Sequence, residues 1–518
     1  MKLNYKRTIL VGFAFFLISA FWQAYDATIP VILTNKFGMT QTWSGVIMAL
    51  DNILAVFMLP LFGTLSDKCL GSKFGKRTPF ITIGTTIAAI ALIGLSFVDS
   101  QQLNLIHEVS TIDDPHALEI LYDTQCNNEL LTPEGDTVML SKLFSQEEYT
   151  AIRCKITDPE TGKEITNPNY TNYVAPARQA YARQLTAANK TNLILFVALL
   201  LVVLVAMATF RSPAVALMPD VTVKPLRSKA NAVINLMGTA GGILVLLLGI
   251  VFSTSAVKNA LMQYHLYYGI VAAIMLGALT VFLLTVREKK WAAQMQADSV
   301  KYGIEEAVED GTEKRGLTAS EKRSLILILL SIALWYFGYN AVTSKYSVYA
   351  GNILDKDYNT TMLLAQAAAI VAYLPAGIVA SKIGRKKTIL AGVVMLTTAF
   401  AAAAFMRAGS PTWLMNVFFA LAGIAWATIN VNSFPMVVEM CSGADIGKYT
   451  GFYYTASMTA QIVTPMLSGF LMDQMGMTVL FPYAAIFVAL AFVTMSLVKH
   501  GDAKVAAKQG LEALDLDD

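Results

Sequence analysis

Three ionisable side chains stand inside stretches otherwise apolar enough to cross a bilayer: Asp26, Asp51 and Arg211. A charge at the centre of a membrane costs about 2.5–3.5 kcal/mol on insertion scales, so such residues usually face an interior pathway. A carboxylate held there without a fixed cationic partner can take a proton from one side and release it on the other. That is the physical requirement for proton coupling, and either Asp26 or Asp51 could meet it. Trp22, Gln23 and Tyr25 flank the first acid and Asn52 follows the second. They offer stacking surface and hydrogen bonds of the kind a sugar needs. A plainer role for each aspartate is a structural hydrogen bond to a helix neighbour. For Arg211 it is snorkelling toward the interface, and a direct Asp26–Arg211 pair is not assumed.

The second half of the chain offers neutral groups instead. "LWYFGYNAV" contributes Trp335, Tyr336, Tyr339 and Asn340, and further on come Trp426, Asn430 and Gln461. Aromatics are common in membrane helices, so any single one is more often packing than ligand. The asymmetry suggests coupling in the first half and much of the substrate grip in the second.

The elements that must position these residues follow from composition. Of 518 residues, 55% are hydrophobic and 14% charged, with a mean hydropathy of +0.53. Soluble domains carry roughly 25% charged residues, so a membrane protein is expected. A net charge of +3 gives no argument for nucleic acid. Four cysteines without CxxC spacing and four histidines argue against structural zinc and thiol redox chemistry. No metal or organic cofactor is expected. Enzyme motifs such as HExxH, a nucleophile elbow or a phosphate-cradling loop are not found in the sequence.

Runs of about 20 apolar residues predict twelve spans near 8–33, 43–65, 78–98, 189–217, 230–254, 264–286, 323–350, 361–381, 387–407, 412–438, 450–473 and 477–498. The basic N-terminus followed by a long apolar run reads as a first helix that stays attached rather than a cleaved signal. Short-loop Lys and Arg, including Lys6, Arg7, Lys76, Arg77, Lys229, Arg385 and Lys386, all fall on one side of such a layout. Both termini are therefore expected in the cytoplasm. The expected organisation is helices 1–3 over 1–98, an extracellular insertion over 99–188 and helices 4–6 over 189–286. A cytoplasmic linker over 287–322, helices 7–12 over 323–499 and a tail over 500–518 follow. The linker reads as flexible. The insertion reads as a small folded cap, in which a disulfide between Cys126 and Cys154 is chemically permitted.

A repeat supports two related six-helix halves. Gly63 to Asp67 has the spacing of Gly377 to Ser381, and each is followed by a glycine and a basic cluster: Gly75-Lys76-Arg77 and Gly384-Arg385-Lys386-Lys387. Asp220 after Pro219 and Glu439 after Pro435 match more weakly, and this alignment makes Asn430 the counterpart of Arg211. Such duplication is a known plan for secondary transporters, with the substrate site between the halves.

On these motifs the chain, apart from the insertion, resembles a major facilitator superfamily transporter. The first copy of the loop, together with "RSPAVALMPD" and "RSKANAVINLMG", is similar to the sucrose–proton symporter branch. Pro60 and Gly63 also match the glycoside–pentoside–hexuronide cation symporters. That family's paired helix 2 aspartates are replaced here by Ala55 and Leu59, which speaks against sodium. The resemblance implies an all-α membrane protein of twelve transmembrane helices in two pseudo-symmetric bundles. It further implies a cytoplasmic gate from Gly63, Asp67, Lys68, Gly75, Lys76, Arg77, Asp220, Arg227, Gly384, Arg385 and Glu439. In it Asp67 would meet basic residues and a helix N-terminus of the other half, with Asp220–Arg227 and Glu439–Lys448 as related contacts. The plainer reading of Asp67 is a solvated ion pair.

The expectation is thus a monomeric transporter in the plasma membrane, in contact with lipid, importing a small glycoside or disaccharide with a proton. An exporter of drugs or metabolites on the same fold is the alternative, and a receptor or scaffold using the insertion is a third.

Overall fold

The computed structural model describes residues 3–69, 74–157, 162, 164–223, 226–301, 317–438, 440 and 446–501. Sixteen α-helices are seen among the described residues. Twelve of them form the bundle: α1 (Tyr5–Asn35), α2 (Gln41–Lys68), α3 (Thr78–Leu105), α7 (Thr191–Val221), α8 (Arg227–Phe252) and α9 (His265–Thr285) in the first half. The second half has α11 (Ala319–Tyr349), α12 (Tyr358–Ile383), α13 (Arg385–Ala403), α14 (Thr412–Val438), α15 (Ile446–Met475) and α16 (Leu480–Ser496). Ten of these are long and apolar enough to cross a membrane by length and composition. The remaining two, α12 and α15, pack in the same bundle.

Local signals set the helix ends. Asn4 caps α1 through the Arg7 amide, Asp357 caps α12 through Thr360, and Thr318 with Glu321 forms a capping box on α11. Each satisfies amides that the first turn leaves open. The helices overrun the apolar runs by up to two turns, because polar residues continue the helix once it leaves the apolar layer. Thus α3 extends to Leu105, and the insertion begins after it.

Each half has its own core. One runs through Phe21, Leu92, Leu200 and Met275, the other through Ile332, Tyr346, Phe400 and Val488. The halves meet where α2 packs on α15, α8 on α12 and α1 on α11. Ala27, Val31 and Leu246 of the first half belong to the second core, so this contact buries apolar surface.

The insertion is a folded cap, and it is not purely helical. It contains α4 (Pro115–Gln125), α5 (Gln146–Thr150) and α6 (Ala175–Ala188). Two small antiparallel hairpins complete it, β1 (Leu130–Leu131) with β2 (Thr137–Val138) and β3 (Lys155–Thr157) with β4 (Glu164–Thr166). A separate core of Ile106, Leu118, Leu121, Tyr149 and Tyr170 holds it together. The end of the bundle that carries it is called the cap end.

The segment expected to be a flexible linker begins as a helix, α10 (Glu288–Lys301). It docks on the first half: Glu288 is buried, and Arg7 lies 4.7 Å from the Trp291 ring centroid. Residues 302–316 lie outside the described residues.

Candidate transport site and gates

Asp26 lies nine residues from the cap-end terminus of α1 and Asp51 ten residues from that of α2. At 1.5 Å per residue both sit about 14–15 Å deep, and they act on each other electrostatically. Asn52 Nδ2 donates to Asp51 Oδ1 at 2.8 Å. Arg211 is the cation facing Asp51. Its guanidinium also sits 5.8 Å from the Trp22 ring centroid, so Arg211 points inward rather than snorkelling. Trp22 in turn packs edge-on against Tyr25 at 5.3 Å.

The second half closes this constellation. Tyr339 acts on Asp26 and on Tyr373. It stacks on Trp426 with ring centroids 3.6 Å apart and planes 4° from parallel. Tyr336 meets the same indole edge-on at 5.3 Å, and its hydroxyl lies 3.5 Å from that of Tyr453. Asn430 hydrogen-bonds Tyr373. Tyr454, beside Tyr453 on α15, faces Arg211 across the two halves. Acids and one arginine therefore confront an aromatic wall. Three buried donors in this region, Trp22 Nε1, Tyr25 Oη and Asn340 Nδ2, have no hydrogen-bond partner in the structure. Buried orphan donors are uncommon and call for an explanation.

Prolines add acceptors. Pro30 follows Asp26 by four residues and Pro465 follows Gln461 by four. Proline has no N–H, so the helical amide that would bond the carbonyl four residues earlier is missing at both places.

Not every expected residue joins the site. Gln461 donates to the Ser457 carbonyl of its own helix at 3.3 Å. Trp335 is buried in the second core. Gln23 is taken up between the halves: its amide donates to Tyr358 Oη at 3.1 Å and its carbonyl accepts from Gln366 at 2.6 Å.

At the end opposite the cap, Arg77 is 4% exposed and bridges two carboxylates. It pairs with Asp67 and donates through Nε to Asp220 Oδ2 at 2.8 Å, while Lys76 Nζ approaches Asp220 at 3.5 Å. Glu288 caps α3 from α10, accepting from the amides of Lys76 (2.7 Å), Arg77 (2.9 Å) and Thr78 (2.8 Å). Gly75 makes this possible: its φ is +133°, and a Cβ there would lie 2.1 Å from the Glu288 carboxyl carbon. Among the described residues Asp67 thus pairs within its own half. The reason is proximity, since Arg77 lies at the start of α3 beside the end of α2. Asp220 likewise takes Arg77 and Lys76. The side chains of Arg227 and Lys448, and Glu439 as a whole, lie outside the described residues. Lys68 ends α2 and Gly63 lies five residues before it, and Gly384 separates α12 from α13 with φ +96°; Arg385 opens α13.

The cap end carries a second set of contacts, which sequence reasoning missed. Asp473 of α15 accepts from the amides of Gln41 and Thr42, both at 2.7 Å, and from Thr42 Oγ1 at 2.5 Å. It therefore caps the N-terminus of α2 from the other half. Lys345 of α11, fully buried, donates to the Gln41 carbonyl at 2.6 Å. A Cβ at Gly45 would lie 1.9 Å from the Pro465 carbonyl oxygen, and one at Gly469 would lie 2.2 Å from that of Gln41. Only glycine lets α2 and α15 cross this closely. The cap bridges the halves as well: Met477 donates to the Pro133 carbonyl at 2.7 Å and Thr166 to Asp355 at 3.0 Å. These contacts join the two halves at the cap end. Lys345 was detectable by the signal that found Asp26, a charge within an apolar span. Asp473 was not, because its role depends on which helix crosses α15.

Two further charges take unexpected places. Lys36 and Asp99 form a fully buried pair at 2.7 Å, with Lys36 also donating to the Met262 carbonyl at 2.7 Å. In the cap, Cys126 and Cys154 are separate thiols, which corrects the disulfide expectation. Cys154 is instead tied to Asp113, whose Oδ1 accepts the Cys154 amide at 2.6 Å. Burial and the neighbouring Asp113 push the Cys154 thiol up to about 12.

Comparison with known proteins places this geometry. Residues 356–513 match the family model of the Major Facilitator Superfamily. The MFS-type transporter ppzB of Metarhizium rileyi (strain RCEF 4871) is 28% identical over 152 residues, 29% of this chain and 30% of that protein. Its namesake in Metarhizium majus (strain ARSEF 297) is 29% identical over 152 residues, 29% of this chain and 32% of that protein. The match thus spans about a third of those relatives. Among solved structures, the inward open xylose transporter XylE from E. coli aligns with a TM-score of 0.57 at 14% identity, covering 99% of this chain and 100% of that one. A mutant of the nucleoside transporter NupG aligns with a TM-score of 0.54 at 15% identity, covering 95% and 100%. Over 99% of its length the chain thus aligns with the fold of that xylose transporter, and over residues 356–513 it matches the family model of the Major Facilitator Superfamily.

Proposed function

We propose that this protein is a proton-coupled symporter of a small glycoside or disaccharide, working by alternating access. The observation that carries the reading is the facing of Asp26, Asp51 and Arg211 with the stacked Tyr339–Trp426 pair between the halves. An aromatic face suits the apolar side of a sugar ring, and the orphan donors of Trp22, Tyr25 and Asn340 suit its hydroxyls. Arg211 faces Asp51, so Asp26 is the carboxylate without a cation beside it among the described residues. That makes Asp26 the stronger proton carrier and Asp51 the group that senses substrate through Arg211. The contacts that join the halves at the cap end then fit a state that opens to the side of the termini. In this reading the termini are cytoplasmic, the cap is extracellular and the membrane is the plasma membrane. The chain acts as a monomer without cofactor, with the proton rather than sodium as coupling ion. Asp67 and Arg77 belong to the cytoplasmic gate and exchange partners when that side closes.

The test is transport. The full chain is reconstituted in liposomes holding a pH-sensitive dye, and a panel of mono- and disaccharides is added outside. Sugar-dependent acidification that disappears in Asp26→Asn supports the reading. Asp51→Asn is expected to raise the sugar concentration needed for half-maximal rate. Efflux of organic cations with no response to any sugar would replace this reading with the exporter.

A further inference from the structure

The strongest unassigned feature lies beneath the cap, remote from the central site. A cavity of ≈ 50 Å³ is lined from the first half, the second half and the cap together, among them by Asn35, Tyr170, Arg178, Gln179, Ser347 and Asn352. Arg178 on α6 is 4% exposed. Its Nη1 donates to Tyr170 Oη, and its guanidinium lies 5.6 Å from the Tyr170 ring centroid. Its Nε and Nη2 are buried with no hydrogen-bond partner. Ser347 on α11, also 4% exposed, has a buried hydroxyl in the same position. No aspartate or glutamate lines the cavity, and no ion pair among the described residues includes Arg178.

Arginine does not deprotonate in proteins, so this is a permanent positive charge taken out of water. Leaving one uncompensated is costly, and buried charges are normally paired. The two orphan nitrogens are not arbitrary: Nε–H and Nη2–H form the side-on edge of the guanidinium, which meets a carboxylate with two parallel hydrogen bonds. The space exceeds what a single water needs and is small for anything beyond a few heavy atoms.

We infer that the cavity is a binding site for one small monovalent anion, a carboxylate group or a halide, held by Arg178 from the cap and Ser347 from the second half. The site exists only while its three walls are together. The anion therefore binds the cap-closed state and favours it in proportion to its occupancy. This holds whether or not the transported substrate is a sugar.

The experiment compares the full chain in lipid nanodiscs with chloride, acetate or bulky MES as the sole anion at constant ionic strength. The midpoint of thermal unfolding and the binding of radiolabelled chloride are read. Chloride or acetate is expected to raise the midpoint saturably over MES, and labelled chloride is expected to be displaced by acetate. Arg178→Gln is expected to abolish both effects. Arg178→Lys keeps the charge without the fork, and is expected to weaken acetate at least about tenfold while weakening chloride less. Ser347→Ala, which leaves the cap untouched, is expected to weaken both anions and covers the case in which the Arg178 variants do not fold. Equal midpoints in all three anions, or the same anion response in wild type, Arg178→Gln and Ser347→Ala, would overturn the inference.

Discussion

Asp473→Asn isolates the contact that closes the cap end. The carboxylate accepts two backbone amides at 2.7 Å and one hydroxyl at 2.5 Å from the first two residues of α2. The asparagine keeps the size and removes the charge, leaving one acceptor oxygen for two amides. Hydrogen bonds to a charged group contribute about 1.5–3 kcal/mol net, and a negative charge at a helix N-terminus contributes about 0.3–1 kcal/mol. Asn retains part of the first, so the expected loss is about 1.5–3 kcal/mol. It falls on one state only, because water replaces these bonds once the ends part. At 1.4 kcal/mol per decade the closed-to-open ratio drops roughly 10- to 150-fold. A protein closed 99% of the time would become closed about 90% of the time at the lower figure and about 40% at the upper. Nitroxides at Lys258 and Arg407, which lie exposed on cap-end connections of opposite halves, report the change by pulsed electron resonance. The background carries serine at the four native cysteines. A second, longer distance should gain population in Asp473→Asn. Thr42→Val, which removes the hydroxyl and keeps both amides, should give a smaller shift in the same direction. Identical distance distributions in wild type and Asp473→Asn would refute the latch.

Three further outcomes are expected. Trp426→Ala removes the ring on which Tyr339 stacks, an aromatic pair of about 0.5–1.5 kcal/mol beyond its area; sugar-driven acidification should need roughly tenfold more sugar while proton leak is unchanged, and an unaltered concentration dependence would exclude this wall from the site. Arg77→Gln leaves Asp67 and Asp220 without their shared cation; because Asp67 is largely exposed the stability cost should be modest, about 1–3 kcal/mol, with a larger fall in transport rate, and wild-type rates would remove Arg77 from the gate. Cys154 should resist maleimide between pH 7 and 9 while Cys126 labels, read by peptide mass spectrometry. Its thiol is raised from about 9 to about 12, and burial, with Glu108 beside it, raises Tyr181 from about 10 to about 12. Both are neutral in the folded cap, so their contribution is full below pH 9 and is lost as pH rises from about 9 to about 12. A Cys126–Cys154-linked peptide in the unreduced digest would contradict the geometry.

What the chain discloses and what it withholds divide along one physical line. Hydropathy is a local property, and twelve apolar runs are enough to count the helices. A charge inside such a run is also visible locally, which is why Asp26, Asp51 and Arg211 stand out. Pairing is not local. Arg77 is ten residues from Asp67 and the two could be matched by spacing, but Glu288 reaches the start of α3 across 210 residues, from a stretch whose composition reads as linker. Lys36 lies between the first two apolar runs, yet it is fully buried on Asp99. In each case composition set an exposed prior that a single distant carboxylate overrides.

The same line explains why Asp67 stands out in the sequence and Asp473 does not. Helices α2 and α15 run antiparallel and pack together. Asp67 stands 26 residues after the start of α2, and Asp473 stands 27 residues after the start of α15. By position each aspartate reaches the end of the bundle at which the other helix begins. Asp473 makes that contact here, on Gln41 and Thr42. Asp67 is turned to Arg77 instead. Asp67 announces itself through a dense basic cluster, whereas Asp473 lies in "GFLMDQMGM" with no basic residue near. Its partner is a pair of backbone amides, which every sequence has and no sequence displays. In the proposed alternating access, a rocking motion of the halves about the central site would break one such end while the other forms. On that proposal the cap-end contact sets a free-energy difference against which an inner gate would work, and the stacked aromatic wall is where substrate would shift that balance.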